Sequence, residues 1–121
     1  MAALLLIFTS IILAVFGQLS LKKGMNAVGS ISVNDLFGAK LFSILSEKFV
    51  IAGIFLYFLS AAIWIVVLSQ EEVSFAYPLV GLGYILTAIL ARFFFNENLT
   101  LFRILGILLI AVGAYLIVLK L

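Results

Sequence analysis

The sequence predicts an all-α protein, an integral membrane bundle of four transmembrane helices with a short amphipathic helix in the first loop. Composition is the first observation, because 67% of the 121 residues are apolar, only 10% are charged and the mean hydropathy is +1.44. A soluble domain is nearer half apolar and a quarter charged. The second observation is that the apolar residues gather in four stretches of roughly 20 residues, the length that crosses a bilayer. Soluble enzymes, disordered regulators and secreted disulfide scaffolds are therefore poor descriptions of this chain.

The four spans lie at about 4–21, 50–68, 75–95 and 101–119, within one membrane domain that covers residues 1–121. They are too continuous for barrel strands, which are shorter and alternate in hydropathy. The first span lacks the basic start of a signal peptide and its apolar run is longer, so we expect a retained helix. The second and third loops, near 69–74 and 96–100, are short, and consecutive helices are therefore expected to be antiparallel.

The first loop is long, running from 22 to 49, and its part from about 32 to 48 has helical periodicity. Its apolar residues fall on one face: Val33, Leu36, Phe37, Leu41, Ile44 and Leu45. Ser32 and Asp35 have the spacing of a capping box. The segment is either an amphipathic helix in the membrane interface or a short helix packed on the ends of the bundle, and the pattern favours neither.

The charges predict one fixed orientation. Six cations lie on the first and third loops and their flanks: Lys22, Lys23, Lys40, Lys48, Arg92 and Arg103. The opposite side has only Lys120, together with the acidic pair Glu71 and Glu72. By the positive-inside rule, both termini and the second loop lie outside, and the first and third loops are cytoplasmic.

Gln18 is the most informative polar residue of the first span. It shares one helix face with Ser10, Ala14 and Lys22, because these residues are spaced four apart. A glutamine inside the membrane is costly without a partner, so it should face protein or a wet cavity. Either it contacts a ligand or it makes an interhelical hydrogen bond that only holds helices together.

Two tyrosines and an arginine, Tyr77, Tyr84 and Arg92, fall on roughly one face of the third span. Arg92 with Lys22, Lys23 and Arg103 is expected at one membrane surface, as a basic mouth suited to an anionic headgroup. These cations are otherwise lipid-phosphate anchors or a topology signal. Trp64 shares a face of the second span with aromatic and small residues, a pattern that indicates packing or a ligand contact.

The last span carries Gly106 and Gly113, seven residues apart, which predicts a helix–helix seam and suits a dimer. The chain has no His and no Cys, so imidazole and thiolate chemistry and most metal sites are excluded. No nucleophile–base pair or phosphate loop is visible, and we expect neither an enzyme nor a cofactor. A net charge of +2 is too small to indicate a nucleic-acid partner.

Several short motifs occur in a fixed order along the chain. The first span reads FGQLSLKK from Phe16, and the join of the second and third spans reads IWIVVLSQEEVSFAYP and ends at Pro78. Asn96-Glu97 precedes the last span, which carries two glycines seven residues apart. In order and spacing these motifs resemble the small multidrug resistance family of the drug/metabolite transporter superfamily, and in particular its branch of small four-helix subunits that flip undecaprenyl-phosphate-aminoarabinose.

The resemblance also shows where this chain departs from the drug exporters. They use a glutamate in the first span that binds protons and cationic substrates in turn, and that position here is Ala14. The tryptophan of their substrate site aligns with Val80, and the long first loop has no counterpart. The resemblance implies a dimer, which for a chain of fixed orientation is a heterodimer with an oppositely oriented paralogue, although a parallel homodimer or a monomer stays open.

The leading hypothesis is a flippase, or a flippase subunit, for a polyprenyl-phosphate-linked sugar in the bacterial inner membrane. Lys22, Lys23 and Arg92 would capture the headgroup, and Gln18, Tyr77 and Tyr84 would line its path. The lipid tail would stay in the bilayer. The alternative is an exporter of small cations, polyamines or metabolites that uses Glu71, Glu72 or Glu97 for coupling, and a third possibility is a non-transporting assembly subunit.

Overall fold

The computed structural model describes residues 2–119, which form six α-helices and one 3-10 helix and include no strand. The helices are α1 (Ala2–Val28), the 3-10 helix (Val33–Phe37), α2 (Lys40–Ser46), α3 (Lys48–Gln70), α4 (Val73–Leu79), α5 (Gly81–Phe95) and α6 (Leu101–Val118). Four helical stretches are long and apolar enough to cross a membrane, with α4 and α5 together forming the third. The predicted all-α class is confirmed, and Lys120 lies outside the described residues.

The first helix is longer than the apolar stretch that predicted it. It continues from the predicted end near 21 to Val28, and Gly24 within this extension is buried against Val50 at the start of α3. Its 27 residues span about 40 Å, more than the hydrocarbon thickness of about 30 Å. The helix ends at Gly29, whose φ of 99° is the left-handed conformation that glycine adopts readily.

Helices α1 and α3 pack antiparallel along most of their length. Ser10 pairs with Ser60, and Gly17 with Gly53. A Cβ on Gly53 would lie 2.8 Å from the Gly17 carbonyl oxygen. These glycines let the two backbones approach closely, which is how helices associate in lipid without a hydrophobic driving force between them.

The third span is interrupted at Val80, between α4 and α5. Around it the backbone makes tighter three-residue bonds, from the Val80 amide to the Tyr77 carbonyl (3.0 Å) and from the Gly83 amide to the Val80 carbonyl (2.8 Å). Pro78 lies six residues into the combined helix, where it lacks an amide hydrogen to bond the preceding turn. The sequence predicted one continuous span with Pro78 near its start.

The predicted helix over about 32–48 is divided in the structure. A 3-10 helix and α2 are separated by Gly38, whose backbone is extended, and α3 already begins at Lys48. The Ser32 amide donates to the Asp35 carboxylate at 2.9 Å, which is one half of the predicted capping box. This bond from the Ser32 backbone holds the pKa of Asp35 below its ordinary value. Ile44 is buried, whereas Phe37 is 87% exposed.

The buried core lies where α1 meets α3, α4 and α6. It consists of Ile7, Ile11, Val15, Leu19, Val67, Ala76, Leu79 and Ala114. Helix α5 also rests on α1, since a Cβ on Gly83 would lie 3.0 Å from Ile11 Cγ2. Helix α6 contributes only Ala114 to the buried residues, so most of its surface is left to lipid or to another chain.

Candidate functional site

A groove runs through the bundle between α1, α3 and the α4–α5 segment. It consists of two adjoining cavities of about 210 and 240 Å³ that share four lining residues: Ile11, Ala14, Tyr57 and Val80. We call these joined cavities the central groove. The interrupted helix at Val80 therefore lies on its wall, and irregular backbone within a membrane is tolerated where it lines such a cavity.

The half of the central groove nearer the second loop is aromatic. Trp64 and Tyr77 line it, and their rings meet edge to face with centroids 6.3 Å apart. The Oγ atoms of Ser10 and Ser60 lie 2.9 Å apart at its wall, and each hydroxyl also donates to the other residue's carbonyl. The two serines therefore meet each other's hydrogen-bonding needs and hold α1 against α3 at this wall of the groove.

The half nearer the first loop is more polar. Gln18 comes from α1, Tyr57 from α3, and Tyr84 and Thr87 from α5. Amide and hydroxyl groups from three helices thus face one space, which is the usual arrangement for recognising a small polar group in an apolar pocket. Of the predicted binding residues, Gln18, Trp64, Tyr77 and Tyr84 line the groove.

The predicted basic mouth is not a single cluster. Lys22 lies one helical turn beyond Gln18 on the same face, at the first-loop end of the groove, and is exposed. Arg92 is also exposed, near the end of α5 at this same end of the bundle. Lys23 faces a different depression, where its ammonium lies 4.4 Å from the centre of the Phe49 ring. Arg103 donates to the Asn98 carbonyl at 2.9 Å and lines a further cavity with Glu97.

Tyr57 and Thr87 are groove residues that the sequence-based list omitted. Tyr57 lies seven residues before Trp64, and Thr87 three residues after Tyr84, so helical spacing relates each to a listed residue. Residues that only pack between helices have the same spacing, so spacing alone does not identify a residue of the groove. Ala88, expected on the face of Tyr84, instead lines the cavity beside α6.

The acidic side chains lie away from the central groove. Within residues 2–119, its lining includes no Asp or Glu. Glu71 and Glu72 line a cavity of about 450 Å³ at the second-loop end, next to the start of α1. No cluster of three or more potential metal ligands occurs among the described residues.

Comparison with known proteins finds relatives that align with this chain over most of their length. The chain is 32% identical to the probable 4-amino-4-deoxy-L-arabinose-phosphoundecaprenol flippase subunit ArnF of Shewanella sediminis, over 91% of this chain and 83% of that protein. It is 34% identical to the ArnF subunit of Yersinia enterocolitica, over 89% of this chain and 87% of the relative. The probable flippase subunit ArnE of Pseudomonas syringae is 40% identical over 53 residues, which are 44% of this chain and 49% of that protein.

No protein-family model and no solved structure matches the chain. The relatives are nevertheless covered over most of their length, and they are named as transport subunits and not as enzymes. Four membrane-length helices agree with that description and make this a multi-pass membrane protein. The chain therefore belongs to the family of 4-amino-4-deoxy-L-arabinose-phosphoundecaprenol flippase subunits.

Proposed function

We propose that this chain is a subunit of an inner-membrane flippase that moves a polyprenyl-phosphate-linked amino sugar. The observation that carries the proposal is an acid-free polar groove inside a chain of the flippase-subunit family. The substrate in the relatives' name combines an amino sugar, a phosphate and a polyprenol chain. Each of these three parts has a matching environment in or beside the bundle.

The central groove supports the proposal for the sugar. Its two cavities, of about 210 and 240 Å³, together fall within the range of about 300–1,000 Å³ that is usual for small-molecule sites. Gln18 and Tyr84 offer hydrogen bonds to sugar hydroxyls, and the aromatic faces of Trp64 and Tyr77 favour an amino group that carries a positive charge. The polyprenol chain stays in the bilayer, so no sealed aqueous path is required.

Lys22 and Arg92 are proposed to attract the phosphate at the first-loop end of the groove. Both side chains are exposed there, and a cation at the membrane surface attracts anionic headgroups. The proposed direction follows from the charge bias, which assigns this end to the cytoplasm and both termini to the outside. The sugar lipid would thus enter from the cytoplasmic leaflet.

A second subunit is part of the proposal. Relatives of two kinds, ArnE and ArnF, are both named as flippase subunits, and both are similar to this chain. Among the described residues, α6 lines no part of the groove, and most of its surface is exposed and available to a second subunit. We infer a heterodimer with a paralogue of the opposite orientation.

The test is a flipping assay in proteoliposomes that hold this subunit and its paralogue, with a labelled polyprenyl-phosphate amino sugar. Gln18→Ala should lower the rate about ten-fold, since losing one or two hydrogen bonds to the headgroup costs about 1–2 kcal/mol. Lys22→Gln should raise the substrate concentration needed for half-maximal flipping. The amount of folded protein should not change in either variant.

Matched controls are available in the same chain. Gln70→Ala removes the same amide at the end of α3, outside the groove, and Lys40→Gln removes one charge from the first loop. Both should flip at the wild-type rate. An absence of flipping by the wild-type pair would contradict the proposal, whereas proton-driven cation uptake abolished by Glu72→Gln would establish the exporter instead.

A further inference from the structure

We propose that the side of α1 away from the central groove binds an anionic phospholipid. The site is an open depression of about 410 Å³, which we call the lateral trough and define by Phe16, Leu19, Lys23, Phe49, Leu56 and Phe94. None of these residues lines the central groove. The inference does not rest on the proposed flippase function, because it concerns a lipid held at a separate place.

The basic end of the trough is built around one aromatic ring. The ammonium of Lys23 lies 4.4 Å from the centre of the Phe49 ring, and that of Lys48 lies 5.3 Å from the same centre. One lysine comes from the end of α1 and the other from the start of α3. Both ammonium groups lie within 5.3 Å of one ring centre, so a phosphate at this end of the trough is attracted by both.

Phe49 is itself held in place by two hydrogen bonds. Its carbonyl accepts from Ser20 Oγ at 2.6 Å, and its amide donates to Glu47 Oε1 at 3.0 Å. Glu47 therefore places one negative charge close to the two lysines, and the three side chains together keep a net positive charge. One of its carboxylate oxygens accepts the hydrogen bond from the Phe49 amide. The backbone at Phe49, whose ring both lysines approach, is therefore tied to α1 and to Glu47.

The remainder of the trough suits an acyl chain. Phe16 precedes Lys23 by seven residues, so the apolar wall reaches about 10 Å along the helix from the lysine towards the membrane centre. Leu19, Leu56 and Phe94 complete this wall from three helices. A basic end above an apolar channel matches a phospholipid with a negative headgroup, and juxtamembrane lysines attract such lipids.

The bilayer phospholipid is favoured over the polyprenyl phosphate because the trough is separate from the central groove. Lys23 and Gln18 are not on the same face of α1, and a headgroup on Lys23 has no shared wall with the polar half of the groove. A lipid that is held there has no route to cross. It would instead fill the space between α1, α3 and α5 at the membrane surface.

The experiment is native mass spectrometry of the full chain, purified in detergent and titrated with phosphatidylglycerol or phosphatidylcholine. Wild type should retain phosphatidylglycerol in preference to phosphatidylcholine. Lys23→Gln and Lys48→Gln should each weaken phosphatidylglycerol binding about five-fold, and the double variant should lose the preference. Lys40→Gln removes the same charge from an exposed position of the first loop and should leave the preference unchanged.

Charge-preserving variants keep the test decisive if the double glutamine variant does not fold. Lys23→Arg with Lys48→Arg should retain the preference for phosphatidylglycerol, and the single glutamine variants then carry the comparison. Equal retention by wild type and both single variants would overturn the proposal. So would displacement of phosphatidylglycerol by an equimolar amount of polyprenyl phosphate, because the trough would then belong to the transported lipid.

Discussion

Small residues at single positions set how closely α1 and α3 approach. A Cβ on Gly53 would lie 2.7 Å from Leu21 Cγ, closer than side-chain atoms pack, whereas one on Gly113 would meet nothing within 4 Å. The glycine pattern in the last span was recognisable from the sequence, but the pattern does not say which glycines are already in contact. The two glycines where an added Cβ would come closest to another atom, Gly24 at 2.6 Å and Gly53 at 2.7 Å, lie at the contact between the first and second spans.

Gly53→Val should therefore lower the free energy of unfolding by about 1–3 kcal/mol, because the added methyl groups force the α1 and α3 backbones apart. Unfolding by dodecyl sulfate in mixed micelles measures this change. Gly113→Val is the matched control, and its effect in the monomer should stay within about 0.5 kcal/mol. Equal destabilisation by the two variants would contradict the assigned packing.

The serine pair makes a second prediction for single residues. Ser60→Ala removes a donor to the Ser10 carbonyl, and we expect a loss of about 0.5–1 kcal/mol in the same unfolding measurement, the usual value for hydrogen bonds between membrane helices. Ser69→Ala serves as the control, since that hydroxyl bonds to Val66 of its own helix. A double-mutant cycle with Ser10→Ala should show coupling, and additive effects would contradict the pairing.

Neighbouring residues also explain which part of the candidate site the sequence predicted. Spacing predicted one face for Gln18 with Lys22 and one for Tyr77 with Tyr84. Both tyrosines line the central groove, although the break at Val80 puts them on different helices. The prediction grouped Lys22 with Lys23 by depth in the membrane, although consecutive residues point about 100° apart around a helix. The structure accordingly places Lys23 beside Phe49 and away from the groove.

Among the elements, the 3-10 helix and α2 of the first loop are packed only slightly against the rest of the bundle. The 3-10 helix has no buried residue, and α2 buries only Ile44. Their periodicity was visible in the sequence, but the division at Gly38 depends on a single extended residue. The break at Val80 was likewise not predicted, because α4 begins at Val73 and leaves Pro78 inside the helix.

We expect the 3-10 helix to lie in the membrane interface with Phe37 towards the acyl chains. The chain has no cysteine, so Phe37→Cys and Asn34→Cys can each carry one spin label without further changes. The label at 37 should be more accessible to oxygen, and the label at 34 to a water-soluble nickel complex. Equal exposure of both labels to the nickel complex would show that the segment stays in water.

For the whole molecule, the arrangement of helix ends follows from the sequence because short loops and charge bias are both visible in it. The cations Lys22, Lys48 and Arg92 lie at the end of the bundle that holds the first loop, as expected. The exposed surface of α6 is left to lipid or to a second chain, and a single sequence does not carry the other half of such an interface. The orientation and the association are therefore separate predictions.

The orientation predicts which engineered cysteines an impermeant maleimide reaches in intact cells. Ser74→Cys, at the start of α4 beyond the second loop, should react from outside, whereas Ser30→Cys in the first loop should react only after the cells are opened. Denatured samples give the total labelling for each variant. The opposite pattern would reverse the orientation, and labelling of both positions in intact cells would indicate dual insertion.

The association is predicted to use the face of α6 that bears Gly106 and Gly113. In the described chain a Cβ at either position meets nothing within 4 Å, and small residues allow close approach by a helix from another chain. Gly113→Leu should therefore reduce co-purification with the oppositely oriented paralogue at least ten-fold while the monomer keeps its stability. Val112→Leu enlarges an exposed neighbour that points elsewhere on the helix and should leave pairing unchanged. Unaltered pairing of Gly113→Leu would place the interface on another helix.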